Sequence, residues 1–138
     1  MFKKSVYILV AMFVLFSVYF TSSSPAFWNY AESGYEIYLA PYSASSCVKT
    51  IYNKSEYLTS IKYGESCVMK KDISADEIFN DFNAELIFIE ETAEGTSYYG
   101  FTEKLKYAVK VGETLINLHV FIGKTQNKVG APIIFGSF

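Results

Sequence analysis

The chain has 138 residues, of which 51% are hydrophobic and 18% are aromatic, and its formal net charge at pH 7 is −2. All twelve cationic residues are lysines. Proteins that bind nucleic acids normally present a basic surface and read bases with the arginine fork, so this composition disfavours nucleic acid as a partner. The length supports one small domain after the N-terminal segment and excludes two.

Residues 1–26 have the layout of a secretory signal. Lys3 and Lys4 precede an apolar run from Ser5 to Phe20, and small polar residues follow as far as Ala26. A cationic start, an apolar core and a small-residue exit are typical of export, and the lysines stay on the cytoplasmic side. We therefore predict a signal peptide or membrane anchor, and a protein that is secreted or held at the cell membrane by this segment.

Cleavage and retention of this segment both remain open. The apolar run is slightly shorter than the ~17–25 residues of a membrane span and slightly longer than the ~7–15 residues of a signal core. Ser24-Pro25-Ala26 offers a small-x-small cleavage site before Phe27.

The next part of the chain predicts a linker and the first strands of a single α+β domain. The linker covers residues 27–34 and the domain covers residues 35–138. Strands are expected at Tyr35–Leu39, Cys47–Tyr52 and Tyr57–Tyr63. The last two flank turn-like residues, which predicts an antiparallel hairpin that ends at Gly64.

One helix is marked by its capping residues. Ser74 followed by Glu77 forms a capping box, and Ile78, Phe79 and Phe82 then recur at helical spacing. Asn83 can adopt the left-handed conformation that ends a helix. The helix is short, so packing must stabilise it.

The chain after this helix predicts antiparallel strands with short connections. They are expected at Glu85–Glu91, Thr96–Thr102, Tyr107–Val111, Thr114–Ile122 and Lys128–Phe135. The predicted fold class is therefore α+β, with an N-terminal export helix, a curved antiparallel meander sheet and one short helix on one face. The last strand is expected to pair with Thr114–Ile122 and to bury Ile134 or its neighbours beneath the helix, with Pro132 at an edge or bulge.

Three blocks of the sequence resemble the YwmB-like family of small exported proteins from spore-forming Firmicutes. They are Gly95–Thr102, Ile116–Val120 and Val129–Phe138. The fold of that family is similar to that of TATA-box-binding protein, so the resemblance implies this fold and a setting linked to sporulation. The family is uncharacterised, so the resemblance implies no activity, and a shared fold does not imply DNA binding.

The residues that suggest chemistry are two cysteines and one histidine. In an exported protein Cys47 and Cys67 could form a disulfide or act as two independent small apolar side chains, and both interpretations stay open. Pairing either thiol with His119 would give a Cys/His-dependent hydrolase of the envelope, the alternative function. A lone histidine on a strand is more often a hydrogen-bonded structural residue.

Two further features are interpreted without assigning a site. The acidic residues between Asp72 and Glu94 lack the ligand spacing of a calcium loop, so we expect a solvated acidic face. Tyr98 and Tyr99 are adjacent on a strand, so one ring should enter the core and the other should stay exposed. No catalytic, cofactor-binding or metal-binding residue is predicted, and no cofactor is expected.

The sequence favours a non-enzymatic extracytoplasmic module that binds or supports a partner at the envelope of a Gram-positive, spore-forming bacterium. The prediction of a binding or supporting module depends on the export segment, the small strand-rich domain and the absence of a catalytic motif. The spore-forming setting is what the resemblance to the YwmB-like family implies. The expected partner is an envelope protein or a cell-wall component, with membrane contact if the N-terminal segment is retained.

Overall fold

A computed structural model describes residues 2–22, 24–57 and 62–135 of the chain. The helices within these ranges are α1 (Phe2–Ser22), α2 (Lys54–Tyr57) and α3 (Ala75–Asp81), and 3₁₀ turns lie at Trp28–Tyr30 and Ser45–Cys47. The strands are β1 (Ala31–Tyr38), β2 (Val48–Ile51), β3 (Gly64–Met69), β4 (Glu85–Glu91), β5 (Gly95–Phe101), β6 (Val109–Val111), β7 (Thr114–Ile116), β8 (Leu118–Gly123) and β9 (Asn127–Ala131).

Seven of these strands form one antiparallel sheet in the order β2-β1-β3-β9-β8-β5-β4. β6 and β7 form a separate two-stranded sheet. The predicted α+β class with a large antiparallel sheet is confirmed. β4, β5, β8 and β9 follow one another as a meander, and β9 closes the sheet by pairing with β3.

The main core lies between the sheet and α3. We call this side of the sheet the helix face. Cys67, Val129 and Val120 are cross-strand partners on it, and all three are buried. Ile78 of α3 and Phe27 pack into the same cluster and are fully buried. Burying side chains of this size contributes ~1.5–3 kcal/mol each.

The other side of the sheet, which we call the opposite face, is covered in part by the chain after β9. The backbone N–H of Ile134 donates to His119, and that of Phe135 donates to the Tyr38 hydroxyl. The Phe135 ring stacks on Tyr38 with its centroid 4.2 Å away. The C-terminal residues therefore belong to the fold as far as Phe135.

The expected strand Lys128–Phe135, with Ile134 beneath the helix, is wrong in two respects. β9 ends at Ala131 because Pro132 lacks the N–H that would continue the ladder. Ile134 is buried, but it packs over Gly130 on the opposite face. Pro132 follows the end of an internal strand and does not mark a sheet edge.

Residues 27–34, expected as a linker, are part of the folded domain. Phe27 is fully buried, and its ring centroid lies 5.3 Å from that of Phe82. β1 begins at Ala31 and not at Tyr35. Packing of these aromatic side chains orders the segment although its small polar residues had suggested a linker.

The expected hairpin of Cys47–Tyr52 with Tyr57–Tyr63 is not found in the residues that the structure describes. β2 pairs with β1, and Tyr57 ends α2. Glu56 stabilises the turn between β2 and α2. Its carboxylate accepts hydrogen bonds from the backbone N–H of Tyr52 at 2.9 Å and of Asn53 at 3.2 Å. Residues 58–61 of the expected second strand lie outside the described residues.

Gly64 begins β3, a central strand, and does not end a hairpin. A Cβ atom at Gly64 would lie 2.5 Å from the carbonyl oxygen of Ala131. A side chain at this position would therefore collide with β9, and glycine permits the close approach of the two strands.

The expected strand Thr114–Ile122 is divided at Asn117 into β7 and β8. The Asn117 side chain is buried, accepts from the N–H of Thr102 at 2.8 Å and donates to the carbonyl of Thr102 at 2.6 Å. These bonds fix the chain that leaves β5, and the division lets β7 turn away from the large sheet.

α3 begins at the predicted N-cap and ends just before the predicted terminator, and the Ser74 half of the capping box is formed. The Ser74 hydroxyl accepts from the N–H of Glu77 at 3.2 Å, and Asn83 has a φ of 48°. Ser74→Ala should lower the free energy of unfolding by ~1 kcal/mol, because one orphan N–H of the first turn loses its acceptor. Urea unfolding of this variant, with Ser43→Ala in an exposed loop as the control, measures the effect. An unchanged midpoint would show that the cap does not stabilise the domain.

α1 precedes the domain and covers most of the export segment. Its side chains from Lys3 to Leu15 are exposed. Within the part of the chain that the structure describes, no helix is both long enough and apolar enough to cross a membrane.

Candidate functional site

The structure does not bring either cysteine to His119. Cys67 lies on the helix face in register with Val120, and His119, the neighbour of Val120, therefore points to the opposite face. Cys47 precedes β2, which is four positions from β8 in the sheet order. Both thiols are free and do not form a disulfide.

Cys67 is also a poor nucleophile in its own surroundings. Its sulfur is buried and donates to the carbonyl oxygen of Phe27 at 3.7 Å. Burial, with a smaller effect of the Glu65 charge, raises the pKa of the Cys67 thiol to about 12. The thiol is thus protonated at neutral pH, whereas nucleophilic attack requires the thiolate.

His119 is fixed as a structural residue by its two ring nitrogens. Nδ1 accepts from the N–H of Ile134 at 3.1 Å, so in the neutral ring Nε2 carries the proton and donates to Ser97 Oγ at 3.0 Å. A ring in this tautomer cannot take the proton of Ser97, so the pair is not a serine nucleophile with its base. His119 instead holds the C-terminal residues on the opposite face.

Burial lowers the pKa of His119 from 6.5 to about 4. Above pH 6.5 both the folded and unfolded chains hold a neutral ring, so its contribution to the unfolding free energy is constant. As the pH falls from 6.5 to 4, the unfolded chain binds the proton first, and the folded domain should lose about 3 kcal/mol. Measuring the unfolding free energy against pH for the wild type and His119→Gln tests this. The variant should show a shallower loss, and identical slopes would contradict the assignment.

Glu65 is a buried carboxylate that the sequence did not single out. It lies on the helix face with 1% of its surface exposed. Oε1 accepts from the N–H of Ala26 at 2.5 Å and from the Tyr35 hydroxyl at 2.6 Å, and Oε2 accepts from the Tyr57 hydroxyl. Burial, and then the Glu65 charge, raises the pKa of both tyrosines, so their hydroxyls remain protonated donors.

A cavity of about 210 Å³ lies beside this cluster. Its lining includes Glu65, Tyr57, Tyr107, Phe82 and Lys106. Both carboxylate oxygens already accept hydrogen bonds, and one of these bonds fixes the backbone at Ala26. The cluster therefore connects Ala26, the last residue of the predicted export segment, to the sheet, and its hydrogen-bonding groups are satisfied within the chain.

The acidic run does not converge on a metal site. Among residues 2–22, 24–57 and 62–135, no three His, Cys, Asp or Glu side chains are close enough to hold a metal ion. Tyr30 donates to Asp81 at 2.7 Å, which connects α3 to the segment before β1.

Tyr98 and Tyr99 lie on opposite faces, as expected, but neither ring is fully exposed. Tyr98 packs on the helix face. Tyr99 stacks between Phe88 and His119, with ring centroids 4.4 and 4.3 Å away. The expectation of one exposed tyrosine is therefore wrong, because cross-strand rings cover Tyr99.

The outer edge of β4 is the most exposed apolar feature of the sheet. β4 pairs only with β5 among the described strands, which leaves its other side open. Leu86, Phe88 and Ile89 have 46%, 39% and 49% of their surfaces exposed. The sequence predicts a strand at Glu85–Glu91, and only the sheet order shows that this strand lies at an edge.

Both faces of the sheet contribute to this edge. Ile89 lies opposite Tyr98 on the helix face, and Phe88 lies opposite Tyr99 on the opposite face. The register shifts between Leu86 and Phe88, which marks a bulge there. We refer to the exposed side of β4 from Glu85 to Glu91 as the β4 edge. An extended segment that paired with it could contact apolar side chains on both of its own faces.

Comparison with known proteins gives no relative from which a site could be transferred. No protein-family model matches the chain, and no curated protein and no solved structure matches it. The β4 edge is the candidate site on geometry alone.

Proposed function

We propose that this chain is a non-enzymatic extracytoplasmic module that binds a protein partner through the β4 edge, at the envelope of a Gram-positive, spore-forming bacterium. The observation that supports binding is the exposure of Leu86, Phe88 and Ile89 on an edge strand whose outer side has no neighbour among the described strands. The order of Lys3, Lys4 and the apolar run that follows supports export, with the protein secreted or held at the membrane by this segment.

Open strand edges are normally protected, because their N–H and C=O groups can pair with other chains. Here the bulge protects only the beginning of β4, and the chain from Phe88 to Glu91 keeps a regular ladder with β5. Addition of a partner strand would satisfy the outer backbone groups and bury the exposed side chains. Main-chain hydrogen bonds would then supply affinity, and the flanking side chains would supply specificity.

The proposal includes membership of the YwmB-like family and a fold like that of TATA-box-binding protein. The sequence blocks described above support the family. The order β3, α3 and then the meander β4-β5-β8-β9, which returns beside β3, supports the fold likeness.

Photo-crosslinking in cells tests the binding role. A crosslinking amino acid is placed at Ile89 of the full chain in a spore-forming host, and at Leu115 of β7 as the control. The two positions have 49% and 50% of their surfaces exposed, so they differ in location and not in accessibility. Protein adducts at Ile89 that are absent at Leu115 are expected. Equal yields at both positions, or none at Ile89, would overturn the binding role.

A β-lactamase reporter fused to the C-terminus tests export, because it confers resistance only outside the cytoplasm. Lys3→Glu with Lys4→Glu should reduce resistance several-fold, since the n-region loses its cations. Lys71→Glu with Lys124→Glu, both at exposed positions, makes the same change in net charge in the domain and should leave resistance unchanged. Resistance unaffected by the first pair would contradict this route of export.

A further inference from the structure

The charges around the β4 edge restrict what can pair with it. Glu85, Glu90 and Glu91 are all exposed. The adjacent strand β5 has no charged side chain, so no lysine of that strand neutralises them. The edge therefore combines an apolar centre with a negative charge at each end.

The carboxylates extend over both faces of the strand. Glu90 shares the face of Phe88 and accepts from the Tyr99 hydroxyl at 3.2 Å, and Glu91 shares the face of Ile89. A partner strand would thus meet an apolar side chain and then a carboxylate on each of its two faces.

A second copy of the chain is a poor match for this pattern. An antiparallel pair of β4 strands centred on Phe88 would place Glu85 of one copy opposite Glu91 of the other. Like charges directly opposite each other on neighbouring strands are destabilising. The glutamates therefore disfavour this centred register of edge-to-edge pairing between identical chains, a common role for charges at sheet edges.

We propose that the β4 edge binds an extended segment of a partner protein that carries lysine or arginine next to apolar residues, added antiparallel as an eighth strand. This inference builds on the proposed binding role and names the chemistry of the partner. Cationic side chains of the segment pair with Glu90 and Glu91, and apolar ones cover Phe88 and Ile89. The antiparallel direction continues that of every neighbouring pair in the sheet.

The Phe88 side chain of the β4 edge is ordered before a partner binds. Phe88, Tyr99 and His119 stack across three neighbouring strands. His119 is buried at the end of this row and hydrogen bonded through both ring nitrogens. Because the row fixes the orientation of Phe88, little ordering cost remains for binding.

A designed peptide tests whether the glutamates of the β4 edge select a cationic partner, which we call the charge rule. The probe is the fluorescent, acetylated and amidated heptapeptide Lys-Lys-Val-Tyr-Val-Thr-Lys, whose lysines face Glu91, Glu90 and Glu85 when it lies antiparallel to β4. Its binding to the full chain in mild non-ionic detergent is measured by fluorescence anisotropy. Two matched probes serve as controls. The first carries glutamate in place of each lysine, and the second carries N-methyl groups on alternate amides, which block strand pairing.

The lysine peptide should bind at least ten times more tightly than either matched probe. Glu90→Lys with Glu91→Lys should weaken its binding at least tenfold and favour the glutamate peptide. Glu32→Lys with Glu113→Lys, at exposed positions outside the edge, makes the same change in net charge and should alter binding less than twofold. Circular dichroism checks that both double variants remain folded.

Equal binding of the lysine and glutamate peptides, or unchanged binding to the Glu90/Glu91 variant, would overturn the charge rule. Equal binding of the N-methylated peptide would overturn strand addition. If either of these peptide results occurred while adducts still formed at Ile89 in cells, the binding role would stand and only the proposed chemistry of the partner would be overturned. Absence of those adducts would overturn the binding role itself, whatever the peptides do.

Discussion

Glu65→Ala should lower the free energy of unfolding by about 3–5 kcal/mol. The change leaves the hydroxyls of Tyr35 and Tyr57 and the N–H of Ala26 without their acceptor in the core. Each buried donor without a partner costs about 1–3 kcal/mol. A small domain has a total stability of only about 5–15 kcal/mol, so the variant should be close to unfolding at ambient temperature. Chemical denaturation followed by circular dichroism measures the loss.

Glu36→Ala is the matched control for this experiment. Glu36 lies on β1 next to Ile37, the cross-strand partner of Glu65, but it is only half-buried and accepts from Ser66 at 3.2 Å. Its removal takes the acceptor from one buried donor, the Ser66 hydroxyl, and not from three, so it should cost about 1 kcal/mol. Similar losses in the two variants would show that the tyrosine–carboxylate cluster has no special role in stability.

Phe27→Ala should cost about 3–5 kcal/mol, the usual range for a phenylalanine removed from a core. Phe27 is fully buried, its ring packs on Phe82, and its carbonyl accepts from Cys67. The truncation opens a cavity between the sheet and α3 that the fixed sheet cannot close. The shift in the midpoint of thermal unfolding measures the loss.

Tyr52→Ala is the control, because the Tyr52 side chain has 73% of its surface exposed and its loss should cost less than about 0.5 kcal/mol. If Phe27→Ala unfolds at the temperature of this control, residues 27–34 behave as the linker that the sequence suggested and not as part of the core.

α3 could be predicted because its signals are local. Ser74, Glu77 and Asn83 act on the backbone within one or two turns, and the structure places the cap and the terminator at these residues. The strands from Glu85 to Phe101 were also predicted closely, since short turns connect them.

β3 was missed because its sequence does not show the usual signs of a central strand. Glu65 and Ser66 are polar residues that usually indicate exposed positions, and Gly64 usually indicates the end of a strand. Their burial depends on residues far along the chain, namely Tyr35 for Glu65 and Ala131 for Gly64. Such partners cannot be identified from one sequence by local patterns.

The candidate site was partly visible in the sequence. The run Leu86–Ile89 between glutamates was recognised as a strand, but a continuous apolar run usually indicates burial on both faces. Its exposure follows from the sheet order, in which β4 has no outer neighbour among the described strands. Similarly, the tautomer of His119 is set by Ile134, which the sequence alone could not place beside it.

The position of β9 has a consequence for how the domain is made. β9 lies at the centre of the sheet, where it joins β3 to β8 through pairs such as Glu65 with Ala131 and Val120 with Val129. The chain must therefore be available as far as Ala131 before the two halves of the sheet can join, and closing such a long loop slows folding. Until then β3 and β8 each expose an unpaired side, so a chain that ended before β9 would keep two additional open strand edges.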